Sequence, residues 1–374
     1  MNTKFKIIIT GGGTGGHIFP AISIARALEK LSPGCEILFV GALGRMEMER
    51  VPAEGYKIVG LPVAGLKRSL SAENLKLPGK IAKSLRMAGT IIDNFKPDVA
   101  VGVGGYASAP LLWMASRRKI PYIIQEQNSY AGLANRILGR KAEKICVAYK
   151  GMERFFNRKK IIVTGNPVRE EITKVHETDR TDAVKYFGLD PSLKVLLVVG
   201  GSLGSATLNE SVKRWIAKGN TGDIQLIWQY GKGYRANIEE FMTTHRQSGV
   251  KDYEFIKRMD LAFAAADVII TRAGAGTISE LCIARKACIF VPSPNVAEDH
   301  QTHNAMALVR ENAAAMVPDN QAPEKVMDEA ISLLNDNQRR ERMIKNIWSM
   351  ALYNSAETIA GEIVRLAERE PHNG

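Results

Sequence analysis

The sequence predicts an α/β protein built from two doubly wound parallel sheets, one in each half of its 374 residues. Three observations carry that expectation. Short β-branched, apolar runs alternate with helical stretches throughout, the pattern of parallel strands joined by crossover helices. Glycine-rich turns recur where such a run gives way to a helix. The length, 374 residues, exceeds one ordinary core, because domains run to about 100–200 residues.

In the first half, strands are expected at 6–10, 36–40, 57–59, 99–103, 122–125, 144–147 and 161–164. The first of these, Ile7-Ile8-Ile9 behind Lys4 and Lys6, has the charge of a secretory leader. It breaks at once into Gly11-Gly12-Gly13, far short of a leader's apolar core, so it reads as a strand. The pattern restarts at 195–199, 225–229, 253–256, 268–271, 287–291 and 315–317. Gly165-Asn166-Pro167 punctuates the end of a strand and sets the expected boundary, giving domains at 1–166 and 167–337. A C-terminal segment, 338–374, carries a last helix over about 338–369. With no strand after it, that helix is placed to cross back to the first domain.

Composition narrows the function. No stretch approaches the ~20 apolar residues of a membrane span. Cys35, Cys146, Cys282 and Cys288 form no Cys-x-x-Cys pair and read as reduced, buried thiols of a cytosolic protein. The net charge of +12 is uneven: residues 1–166 hold 26 Lys and Arg against 11 Asp and Glu, or +15, and the remainder carries −3. One domain therefore faces something anionic, a lipid surface or a phosphate-bearing substrate. Nucleic acid is disfavoured, since no helix-turn-helix, zinc finger or aromatic RNA-binding motif is present.

Four glycine turns carry the chemistry. The first, Gly11-Gly12-Gly13-Thr14-Gly15-Gly16-His17, follows a strand and is expected to open a helix at about Phe19. Glycines let backbone approach a ligand, and a helix N-terminus offers N–H groups to an anion. A dinucleotide fingerprint also needs an acidic residue at the end of the second strand. That strand ends Phe39-Val40-Gly41-Ala42, without a carboxylate, which disfavours hydride transfer. His17 reads either as a helix-start histidine bonded to a nearby carbonyl or as a general base. The second turn is Gly104-Gly105-Tyr106-Ala107-Ser108. The third is Gly200-Gly201-Ser202-Leu203-Gly204, where Ser202 either meets a phosphate or caps the next helix. The fourth, Arg272-Ala273-Gly274-Ala275-Gly276-Thr277, leads to Glu280, which either complements the helix dipole or takes both hydroxyls of a ribose.

These turns, in this order, resemble the MurG family of bacterial glycosyltransferases. The resemblance spans nearly the whole chain and also rests on Glu126-Gln127-Asn128, Ala131 to Asn135, Gly165 to Arg169, and His300-Gln301 with Asn304-Ala305. It implies the GT-B architecture, two Rossmann-like domains facing across a cleft, and transfer of N-acetylglucosamine from UDP-GlcNAc to undecaprenyl-pyrophosphoryl-MurNAc-pentapeptide in peptidoglycan synthesis. By the same resemblance Thr14, Gly15 and Gly16 line the sugar and acceptor side, with Gly104, Gly105 and Tyr106. Asn128 contacts the donor sugar, and Arg169 and Ser202 lie near the diphosphate. Ile256 meets the uracil through its backbone, Ala275, Gly276 and Thr277 hold the phosphates, Glu280 takes the ribose, Gln301 the transferred sugar, and His17 is the base. Three positions depart from the family pattern: Gln125 for histidine, Leu203 for glutamine and Gly276 for leucine.

No metal and no cofactor is expected, since no Asp-x-Asp motif is present. Helix N-termini and Arg169 are left to neutralise the departing diphosphate. Residues 61–90 hold six basic residues and one acid, Glu73, among leucines. That reads either as a solvated helix face or as a peripheral patch for an anionic membrane, on the cytoplasmic face of the bacterial cell membrane. The competing activities are a diacylglycerol glycosyltransferase, a UDP-sugar epimerase on the same scaffold, and a non-catalytic nucleotide-sugar binder.

Overall fold

The computed structural model describes residues 5–13, 15–63, 77–105, 107–219 and 223–369. The chain forms two compact units, Met1–Val168 together with Asn354–Gly374, and Arg169–Tyr353. Each is a parallel sheet wrapped by helices.

The first unit holds β1 (Lys6–Thr10), β2 (Glu36–Ala42), β3 (Lys57–Leu61), β4 (Val99–Gly102), β5 (Tyr122–Glu126), β6 (Lys144–Val147) and β7 (Ile161–Val163). They lie in the order β3-β2-β1-β4-β5-β6-β7, every neighbouring pair parallel. The strands are apolar on both faces because helices cover both. In β1, Ile7 and Ile9 join one core with Phe39, Val99 and Val101, while Ile8 joins the opposite core with Val40, Ala100 and Ile124. That alternation is the two-residue period of a strand.

The second unit repeats the design with β8 (Lys194–Val199), β9 (Ile224–Gln229), β10 (Val250–Tyr253), β11 (Val268–Thr271), β12 (Ala287–Phe290) and β13 (Ala315–Met316). Their order is β10-β9-β8-β11-β12-β13, again all parallel. Both sheets reverse strand order between two central neighbours, β1 and β4 in one and β8 and β11 in the other. Open parallel sheets bind ligands beyond the C-terminal ends of such a pair.

Three expectations shift. The first helix starts at Gly15 rather than near Phe19 and runs to Leu31 with Pro20 inside it. A helix's first turn needs no internal N–H partners, so glycine can supply it. The expected strand at 253–256 lies earlier, at Val250–Tyr253. Beyond Tyr253 the Ile256 N–H turns to the Gln229 side chain, at 2.9 Å, instead of a ladder partner. The expected helix over 338–369 is two helices, Asn337–Ser349 and Ser355–Ala367, divided where Asn354 takes a left-handed φ of 56°. Met343 of the former packs in the second unit's core. Ile359, Ala360, Ile363 and Leu366 of the latter pack with Ile18, Ala21 and Ile22 in the first.

Candidate active site

All four glycine turns follow the central strands at which strand order reverses. In the first unit, the turns after β1 and β4 touch backbone to backbone. A Cβ on Gly105, held at φ 87°, would strike the backbone of Gly12, and one on Gly11 would strike Val103. Only glycine fits that approach. Val103 N–H donates to Thr10 O at 2.9 Å, locking the second turn to the first strand, and Ser108 Oγ donates to Gly104 O at 2.8 Å within that turn.

His17 is the third residue of the helix Gly15–Leu31. Its Nδ1 lies 3.1 Å from Gly12 O, and its ring sits over Gly104, whose Cβ would come within 2.7 Å of it. A carbonyl only accepts, so at this contact Nδ1 carries the proton. Of the two readings of His17, the carbonyl-bonded histidine at the start of a helix is the one this geometry displays.

Sequence reasoning missed Glu47. It found no carboxylate at the end of the second strand, yet Glu47, five residues beyond Ala42, folds back there. It is 1% exposed. Its Oε1 accepts the Ala42 N–H at 2.9 Å and its Oε2 the Gly13 N–H at 3.0 Å. The carboxylate is spent on backbone inside the turn, so it does not restore the dinucleotide reading. It also takes one of the N–H groups expected to face an anion. The only sequence signal was an acid in the first turn of helix Glu47–Ala53.

At the end of β5, Glu126 is 2% exposed and gathers its own loop. It accepts from Asn128 N at 3.1 Å and Asn128 Nδ2 at 3.3 Å, from Gly132 N at 3.2 Å and from Asn135 Nδ2 at 2.8 Å. Burial pushes its pKa up, against these donors. Gln125, one of the departures, is fully buried and donates to Asn166 Oδ1 at 2.8 Å, while Asn166 Nδ2 donates to Gln127 O at 3.1 Å. The amide at position 125 thus fits an amide network linking β5 to the Gly165-Asn166-Pro167 segment.

In the second unit Ser205, not Ser202, caps helix Ala206–Ala217, its side chain accepting from Leu208 N at 3.2 Å. Ser202 stands exposed beside Leu203, which is 81% exposed. After β11, the Arg272 guanidinium ties three loops together. It donates to Val291 O at 3.0 Å, Pro292 O at 3.2 Å, Asp319 Oδ1 at 2.5 Å and Ser205 Oγ at 2.6 Å. Gly274 then leads into helix Ala275–Ala284, whose first turn is Ala275, Gly276 and Thr277. Gly276 faces open space, so leucine's absence leaves no packing defect. Gln301 Oε1 accepts from Ser293 N at 2.9 Å.

Arg169 and Glu280 are brought together, but on each other. Arg169 Nε and Nη2 meet Glu280 Oε1 and Oε2 at 2.7 and 2.9 Å, a two-pronged pair. Burial works against the Arg169 charge, and the Glu280 carboxylate outweighs it, so the guanidinium pKa lies above its ordinary value.

Thr14, Tyr106 and residues 64–76 lie outside the described residues. A cavity of about 480 Å³ in the first unit is lined by Leu133, Arg136, Ile137, Arg140, Arg154 and Phe155 among others, and no glycine turn reaches it.

Two Rossmann-like parallel sheets of this kind define a glycosyltransferase of the GT-B type. The glycosyltransferase family 28 N-terminal domain matches residues 7–147, its C-terminal domain matches residues 195–359, and the chain belongs to that family. It is 51% identical, over 98% of its length and 100% of the relative's, to the UDP-N-acetylglucosamine--N-acetylmuramyl-(pentapeptide) pyrophosphoryl-undecaprenol N-acetylglucosamine transferase of Parabacteroides distasonis. The enzyme of the same name from Phocaeicola vulgatus is 52% identical over 99% of this chain and 98% of its own. Among solved structures, Acinetobacter baumannii MurG matches with a TM-score of 0.76 at 26% identity, covering 96% of this chain and 99% of that one. The Neisseria meningitidis UDP-GlcNAc 2-epimerase bound to UDP-GlcNAc has a TM-score of 0.64 at 14% identity, covers 97% of this chain and 100% of that one, and shares the fold alone.

Proposed function

We propose that this chain transfers N-acetylglucosamine from UDP-GlcNAc to the muramoyl 4-hydroxyl of undecaprenyl-pyrophosphoryl-MurNAc-pentapeptide, inverting the anomeric centre. The observation that carries this is full-length identity of about one residue in two with relatives named for that reaction.

The chemistry follows from the residues. The acceptor hydroxyl attacks C1 of the donor sugar, the bond from C1 to the diphosphate oxygen breaks, and the hydroxyl proton passes to His17 Nε2. His17 is suited to this because the Gly12 carbonyl already holds its other nitrogen protonated. UDP leaves with growing negative charge, which the first-turn N–H groups of helix Ala275–Ala284 and the Arg169 guanidinium of the same unit offset. Arg169 then has to exchange Glu280 for the diphosphate, which leaves both Glu280 oxygens to the ribose hydroxyls. Ser202 adds a hydroxyl at the diphosphate, and Ile256 contacts the uracil. Asn128 and Gln301 meet the sugar, while Gly15, Gly16, Gly104 and Gly105, with Thr14 and Tyr106, take the acceptor side.

The acceptor's polyprenyl chain requires meeting a membrane, on its cytoplasmic face where UDP-sugars are made available. Among the described residues no helix is long and apolar enough to cross one. Exposed Lys80, Ile81, Lys83 and Arg86 on helix Leu77–Phe95 support peripheral contact with an anionic surface, as do Arg136, Arg140 and Arg154 beside exposed Leu133 and Ile137.

Incubation of the purified protein with UDP-GlcNAc and an undecaprenyl-pyrophosphoryl-muramoyl-peptide analogue is expected to give a disaccharide-bearing lipid, and donor alone no rearranged or free sugar. Product formed only with diacylglycerol, or donor rearranged without acceptor, overturns the assignment.

A further inference from the structure

We propose that Glu47 is a positioning residue for His17 and acts on it through a single peptide group, the one joining Gly12 to Gly13. The N–H of that peptide donates to Glu47 Oε2 at 3.0 Å, and its carbonyl accepts from His17 Nδ1 at 3.1 Å. Carboxylate, peptide and imidazole therefore form one chain of hydrogen bonds running in one direction. Hydrogen bonds in series polarise one another. An anion on the N–H side makes the carbonyl oxygen a stronger acceptor, which fixes the Nδ1–H tautomer and stabilises the imidazolium formed when Nε2 takes a proton. It is a carboxylate–histidine pair with a peptide spliced into the middle.

The surroundings are built for this link. Glu47 is almost fully buried, and its second oxygen is anchored to Ala42 N at the end of β2, so the carboxylate has a fixed direction. Gly12 sits at φ 152° with no room for a Cβ, because the Glu47 carboxylate occupies that space. Gly41 is closed to a side chain by the Glu47 stem. Two of the glycines near this turn are therefore glycines on account of Glu47.

The other titratable groups of the neighbouring elements are paired elsewhere or turned to solvent; on the His17 helix itself Arg26 pairs with Glu54 and Glu29 accepts from Tyr56. Glu126 at the end of β5 is held by Asn128, Gly132 and Asn135. Glu49 and Arg50 of helix Glu47–Ala53 are exposed. On helix Ser355–Ala367, which packs along the His17 helix, Glu362 pairs with Arg365 and Glu357 is exposed. The β4 turn brings Gly104 to the ring's side and no charge among its described residues.

The inference rests on His17 being the base, and its test separates the two claims. Glu47→Gln keeps the side chain's size and removes its charge. In full-length protein with ring-labelled histidine, NMR titration of His17, assigned by comparison with His17→Asn, is expected to show two changes in Glu47→Gln. The imidazole pKa falls by roughly half a unit, and the Nδ1–H tautomer loses its dominance. The acidic limb of the kcat/KM profile moves to lower pH by the same amount. A merely structural role would lower Tm and scale kcat/KM while leaving tautomer and pKa in place, and that result overturns the proposal. Should Glu47→Gln fail to fold, Glu47→Asp, one methylene short of the Gly13 N–H, gives the same readout. If the NMR changes appear while the kinetic limb stays put, the Glu47–His17 link stands and the assignment of His17 as base falls.

Discussion

Replacing Arg272 by methionine keeps the length of the side chain and deletes a guanidinium that bridges three loops. The Arg272 and Asp319 side chains are 17% and 22% exposed, so water replaces little of what is lost. Removing one partner of such a mostly buried pair destabilises by about 3–5 kcal/mol, chiefly because the remaining charge is stranded. The four contacts do not add, since they belong to one network. Asp319 keeps only its 3.1 Å bond from Thr207 Oγ1 among the side-chain contacts described. With roughly 2–4 °C of Tm per kcal/mol for a unit of this size, the transition of the Arg169–Tyr353 unit should fall by roughly 6–20 °C. Differential scanning calorimetry measures this, and isothermal titration with UDP should show about tenfold weaker binding, because the turns carrying Ser202 and Ala275 lose their common tie. Asp319→Asn in the Arg272→Met background should return about 1–3 kcal/mol by removing the stranded charge. Arg180→Met supplies the contrast. Arg180 pairs with Asp267 at 2.7 Å at the opposite end of β11, and its loss should lower Tm without weakening UDP. A transition within about 2 °C of the parent for Arg272→Met would refute the reasoning.

Other expectations can be measured on the same material. Glu280→Gln should raise the donor KM by about 10–100-fold with a smaller change in the acceptor KM, since a charged hydrogen bond is worth about 1.5–3 kcal/mol, and steady-state kinetics with each substrate varied checks it. Glu126→Gln turns an amide NH₂ toward donors on Gly132 or Asn128 and should destabilise the first unit by about 1–3 kcal/mol in urea unfolding. Burial lowers the Lys286 pKa to about 8, while its Nζ donates to Ala264 O and Ala266 O. Because the unfolded chain then binds the extra proton, this lysine's contribution to stability should rise from about pH 8 toward lysine's ordinary value near 10.4 and be lost as pH falls. The difference in Tm between the parent and Lys286→Met, followed across that range, isolates it.

The architecture was legible in the sequence wherever a strand is buried on both faces. Ile7-Ile8-Ile9 and Val268-Ile269-Ile270 are β-branched throughout, and the glycine turns beside them mark them as short strands. Edges were less legible. The Tyr253–Ile256 stretch looks as β-prone as the true strand, and only the Gln229 side chain, which takes the Ile256 N–H, decides against it. Asn354 is one polar residue within a helical pattern, and its residue type, which tolerates a left-handed backbone, is the only local sign of the break. At the site, residues within a turn were found and residues reaching in from elsewhere were not. Glu47 arrives from 34 positions beyond Gly13. Ser202 was the cap expected, but the helix starts right after Ser205, whose Oγ takes the Leu208 N–H and the Arg272 guanidinium from 67 positions away. The mutual grip of Arg169 and Glu280 spans 111 positions and has no sequence signature.

Helix Ser355–Ala367 fills the apolar side of helix Gly15–Leu31 although the whole Arg169–Tyr353 unit is translated between them. On the ribosome, residues 169–353 are all translated while the first unit still lacks helix Ser355–Ala367. Until Ser355–Ala367 emerges, Ile18, Ala21 and Ile22 have no cover from that helix. Removal of helix Ser355–Ala367 therefore opens an apolar groove along helix Gly15–Leu31 in the first unit and takes no residue from the core of the Arg169–Tyr353 unit.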